Sequence, residues 1–133
     1  MIVQHRIVLG ARVALGLVFF IVGVIGLLNL AQIPTRTAAA HNFLGAMQAT
    51  GYLAQAVNGV EFICGAALMV GLFVPFALVL LAPILVNILL YTMFLDQAGL
   101  PISIAVLIID LFLVYAYRLA FVAIFQMKPT PTL

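Results

Sequence analysis

Only three acidic residues occur in the chain, and two of them, Glu61 and Asp110, stand in the middle of long apolar runs. A carboxylate held in hydrocarbon is costly, and such groups persist where they face a bundle interior, a cavity or a partner. Glu61 shares a helical stripe with Gln55, Asn58 and Gly65, each three or four residues from the last. On the next run Pro83, Asn87 and Tyr91 recur every four residues, and on the last Ser103, Asp110 and Tyr117 recur every seven. At about 1.5 Å per residue, Glu61, Asn87 and Asp110 fall near the middle of three different spans, a height at which they can meet. Two carboxylates meeting in low dielectric would repel each other and favour a shared proton, with Asn87 as the positioning amide.

Arg12 is the cation within reach of this cluster. Its Cβ bond tilts toward the helix N-terminus, which favours snorkelling to the near surface. Its place on a stripe with Gly16, Phe19, Gly23 and Gly26 favours the opposite, an inward pairing with Glu61 or Asp110 as their counter-ion. Three uses of the polar cluster stay open: hydrogen bonds that hold the bundle together, a ligand or quinone pocket, and a proton or solute path, for which four helices leave little room. Glu61, Asn87, Asp110, Arg12, Asn58 and Tyr91 are the ligand-binding or proton-exchanging candidates. No metal site is expected, since His5 and His41 belong to opposite ends of the spans. Cys64 is the only cysteine, so neither a disulfide within the chain nor a CxxC pair is available. No Gly-rich phosphate loop or Ser, His and Asp set marks an enzyme.

The elements that must position these groups follow from composition. The chain has 133 residues, of which 68% are hydrophobic and 6% charged, with a mean hydropathy of +1.39. Such a chain cannot cover a soluble globule with polar surface, and the lipid bilayer becomes its first partner. Four apolar runs, 7–30, 52–73, 76–95 and 102–121, each have about the 20 residues that span hydrocarbon as helix. The first is too long for a signal-peptide core and lacks a clear cleavage site, so it is read as a permanent span. Between the first two spans, the loop 31–51 holds Ala38 to Thr50, with Phe43, Leu44 and Met47 on one side of a short amphipathic helix that Gly51 ends. Short links at 73–76 and 96–101 force antiparallel neighbours, and Pro83 bends the third span.

The expected fold is therefore all-α: a transmembrane four-helix bundle in one domain, with a short extracytoplasmic amphipathic helix between the first and second spans and a cytoplasmic tail at 122–133. Five basic residues are too few and too scattered for nucleic acid. Arg6, Arg12, Arg118 and Lys128 gather at the end shared by both termini, against Arg36 alone at the other, which by the positive-inside rule puts both termini in the cytoplasm.

Several motifs together resemble the DoxX family of small four-helix membrane proteins. They are the early Arg on a Gly-rich first helix, FLGAMQATGY from Phe43 to Tyr52, Glu61 followed by Gly65, VPFALVLLAPILVNILLYTMFLD from Val74 to Asp96, and DLFLVYAYR from Asp110 to Arg118. The resemblance covers about Arg12 to Arg118. It implies a bacterial inner-membrane protein, an accessory or subunit-like component of a respiratory system linked to quinone or thiol redox chemistry. The partners it implies are a larger membrane complex or a homo-oligomer. Relatives of this kind carry His where this chain has Thr92, and Asn where it has Asp110. The alternative of a different class is a non-catalytic assembly module whose small-residue faces dock a larger membrane protein.

Overall fold

A backbone that crosses hydrocarbon must satisfy its own N–H and C=O groups, and runs of Leu, Ile, Val, Ala and Phe do so as helix. The computed structural model describes residues 1–128 and 130–132. Pro129 and Leu133, in the expected tail, lie outside the described residues. The chain forms α1 (Ile2–Leu27), α2 (Ala38–Ala49), α3 (Leu53–Val70), α4 (Val74–Phe94) and α5 (Leu100–Ala116), and no strand occurs among the described residues. Four stretches, α1, α3, α4 and α5 with its preceding turn from Gln97, are long and apolar enough to cross a membrane, the signature of a multi-pass membrane protein.

Local chemistry sets the boundaries. The first span begins at Ile2 and ends at Leu27, displaced toward the N-terminus from the expected 7–30. It stops because Asn29 takes a left-handed φ of 52°, which lets Leu30 N–H return 3.0 Å to the Ile25 carbonyl and close the end. Thr37 caps α2, its hydroxyl accepting from Ala40 N–H at 3.1 Å, and Gly51 turns the chain out of the helix with φ 79°. Gly71 ends α3 with φ 87°, and Pro75 sits in the first turn of α4, where its missing N–H costs nothing. The last helix stops at Ala116, not near Phe121, and a 3-10 turn carries Arg118–Phe121.

Packing begins with α1 and α3, which run antiparallel in backbone contact. A Cβ on Gly16 would stand 2.7 Å from the Gly65 carbonyl oxygen, and one on Gly23 would stand 2.5 Å from the Phe62 nitrogen. Facing them, a Cβ on Gly65 would lie 2.6 Å from the Gly16 carbonyl oxygen. The small-residue stripe expected on the first helix is therefore where the second span seats. Phe20 and Phe62 stack beside it with ring centroids 5.0 Å apart. The remaining core collects Leu15, Leu68, Leu78, Leu81 and Leu113 from all four long helices. The short α2 buries Ala40 and half-buries Phe43, Leu44 and Met47. Phe43 meets the Tyr91 ring at 5.7 Å, and the Thr37 hydroxyl donates to the Leu95 carbonyl. One end of the bundle thus holds α2 and the link to α5, while the other holds both chain ends and the Gly71 corner.

The glycine contacts make a clear prediction. Gly65→Ala should destabilise the protein in detergent by about 1–3 kcal/mol, because the methyl must push two backbones apart. Gly59→Ala, on the same helix but with open space around it, should be neutral or gain up to about 1 kcal/mol from helix propensity. Thermal unfolding of the two variants side by side measures the difference.

Candidate functional site

Seating Gly65 on α1 fixes the rotation of α3, and the face it turns inward carries Glu61, Cys64, Gly65 and Leu68. Glu61 is 4% exposed. From the other side α5 turns in Ser103, Asp110 and Leu113, spaced seven and three residues apart, and Asp110 is also 4% exposed. One carboxylate oxygen of Asp110, Oδ1, is fully buried with no hydrogen-bond partner among the described residues. Both acids therefore point into the bundle.

Arg12 gives the two acids a common ruler. Its Nη1 donates to the Tyr117 hydroxyl at 3.1 Å, and its guanidinium fills the space over Gly71, where a Cβ would stand 2.9 Å from Nη2. Glu61 lies ten residues, about 15 Å, along α3 from Gly71, and Asp110 lies seven residues, about 10 Å, along α5 from Tyr117. The acids are thus within about 5 Å of each other in height, and Arg12 is far below both. The expected counter-ion role of Arg12 is corrected accordingly. Among the described residues it pairs with no acid; it points toward the end that carries the termini, where it ties α1 to α5 and to the corner between α3 and α4. Its Nε is buried without a partner among the described residues.

Asn87 does not join the acids. It is exposed on the outer surface of α4. The buried residues of that helix, Leu78, Leu81, Leu85 and Thr92 among them, lie on the other side, with Leu85 about 200° around the axis from Asn87. Leucines surround α4, so its polar stripe was the only directional cue in the sequence, and packing of the Leu face decided otherwise. Asn58 is half-buried and presses its amide against Gly26, locking the far end of the α1–α3 seam. Gln55 is exposed. Tyr91 is half-buried on Phe43, with its hydroxyl buried and unpartnered among the described residues.

Two features escaped sequence reasoning. Thr92 is buried and satisfies its hydroxyl on the carbonyls of Ile88 at 3.0 Å and Leu89 at 2.9 Å. Asp96, read as the start of the 96–101 link, is 7% exposed, drawn in where its N–H bonds the Tyr91 carbonyl at 3.1 Å. Tyr117 as the partner of Arg12 was legible in principle, since both belong to the end that carries the termini. A cleft of about 750 Å³ opens at that end, lined by His5, Arg6, Arg12 and Tyr117 among others, and not beside Glu61. Among the described residues, no three His, Cys, Asp or Glu side chains gather to hold a metal ion.

The arrangement supplies two buried carboxyls of similar height on α3 and α5, each able to donate a hydrogen bond when protonated and accept one when ionised. No family profile matches the chain, and no curated protein or solved structure is significantly similar to it.

The placement of Arg12 is testable by a double-mutant cycle. A hydrogen bond from a charged donor contributes about 1.5–3 kcal/mol. Arg12→Leu and Tyr117→Phe should therefore be strongly non-additive in unfolding free energy, while Arg12→Leu combined with Glu61→Gln should add within about 0.5 kcal/mol.

Proposed function

We propose that this chain is a DoxX-like protein of a bacterial cytoplasmic membrane that serves as an accessory subunit of a quinone- or thiol-linked redox system, with Glu61 as its working group and Asp110 as its partner. The observation that carries the reading is the pair of carboxyls buried at similar height on α3 and α5 with the nearest spanning cation committed elsewhere. Intramembrane acids of this kind mark ligand or proton sites. A protonated carboxyl offers a hydrogen bond to the carbonyl of a quinone, and an ionised one takes up a proton. The motif resemblance supplies the respiratory context. Asn87 has no part in this site.

The charge distribution supports the orientation. Arg6, Arg12, Arg118 and Lys128 belong to the end that carries both termini, so that end faces the cytoplasm and α2 lies at the extracytoplasmic surface. There α2 acts as a cap, with Ala40, Phe43, Leu44 and Met47 turned toward the bundle.

A second reading, a non-catalytic assembly module, is favoured by a different observation. The accessible surface is 9136 Å², against about 6,800 Å² for a compact soluble monomer of this mass. Thin packing of this sort leaves broad apolar faces for a larger membrane protein.

Native mass spectrometry of the protein released from membranes distinguishes the two. A bound quinone or lipid that is lost in Glu61→Gln and retained in Gln55→Ala supports the site. A ligand profile unchanged by Glu61→Gln, with a stoichiometric protein partner, favours the assembly module.

A further inference from the structure

The outer face of α4 carries a pattern that the acid site does not use. Phe76, Leu80, Pro83, Asn87, Leu90 and Phe94 are all exposed and follow one another at spacings of four, three, four, three and four. That is a seven-residue repeat with Asn87 at its centre, the seam by which two parallel helices wrap around each other. From this geometry we infer that α4 is the interface of a parallel homodimer, in which Asn87 of one copy hydrogen-bonds Asn87 of the other across a two-fold axis along the membrane normal.

The occupant is fixed by chemistry and symmetry. An exposed amide in mid-span faces acyl chains that can neither donate nor accept, whereas Thr92 and Ser103 satisfy their hydroxyls on carbonyls one turn back. An amide both donates and accepts, so an identical amide is its complement. Arg6, Arg12, Arg118 and Lys128 at one end against Arg36 at the other give the copies one orientation, so two α4 helices related by a two-fold axis run parallel and each seam residue meets its own counterpart at the same height. Asn87 is thereby brought to Asn87 without any adjustment of register. Ala82 and Pro83, both exposed and compact, keep the preceding turn low and let the axes come close. A single Asn within an otherwise apolar seam is also the residue that selects register and a two-stranded state. The inference rests on membrane insertion alone and is independent of any role for Glu61.

The test uses the full chain in phosphatidylethanolamine and phosphatidylglycerol vesicles, in a Cys64→Ala background that leaves no other thiol. Under a copper–phenanthroline oxidant, Leu90→Cys should form a disulfide-linked dimer in high yield. Ile63→Cys on α3 and Ile108→Cys on α5, both more exposed than Leu90, should not. In fluorescence energy transfer as lipid is added, Asn87→Leu should weaken association about tenfold, and Asn87→Gln should restore most of it. Cross-linking at Leu90 no stronger than at Ile63 and Ile108 overturns the interface. Association unchanged by Asn87→Leu overturns the role of the amide. A protein that stays monomeric at every lipid ratio overturns both.

Discussion

Backbone contact between α1 and α3 is the constraint on which the rest of the molecule depends. Within lipid, burying one apolar side chain against another gains little over contact with acyl chains, so helices are held by close packing. Gly16, Gly23 and Gly65 remove the side chains that would keep two backbones apart. The seam this creates runs nearly the length of both helices, from the Asn58 amide against Gly26 at one end to Arg12 over Gly71 at the other. Once α3 is seated in this way its rotation is no longer free. Glu61 and Cys64 must look into the bundle because Gly65, on the neighbouring part of the same face, is already committed.

Arg12 acts at the end of that seam as a three-way tie. One side chain on α1 fills the space that a glycine leaves at the α3–α4 corner and reaches the Tyr117 hydroxyl on α5. Gly71 is favoured there by its positive φ, and the guanidinium lies directly above it. The cation is therefore spent on architecture. Glu61 and Asp110 stay buried without it, and Asp110 Oδ1 has no hydrogen-bond partner among the described residues.

The two faces of α4 show how a uniformly apolar helix divides its roles. Its inner leucines complete the core with Leu68 and Leu113, and Thr92 hides its hydroxyl in its own backbone. Asn87 has no such refuge on the outer face, and an amide there is out of place in a lone bundle. The same helix thus packs leucines into the core on one side and presents an exposed amide on the other.

The sequence by itself determined the number of spans, the extra helix at 38–49 and its end at Gly51, and the small-residue stripes of the first two spans. Those follow from length, hydropathy and spacing, which act within one helix and do not depend on neighbours. The inward placement of Glu61 and Asp110 was legible for the same reason, since each shares a stripe with small or polar residues. What only the tertiary structure decided was the outward turn of Asn87, the burial of Asp96 and the choice of Tyr117 by Arg12. Each depends on which face of one helix meets which face of another. In α4 the stripe through Asn87 does not record that choice, because it is made by how leucines interlock across the bundle and not by their number or order.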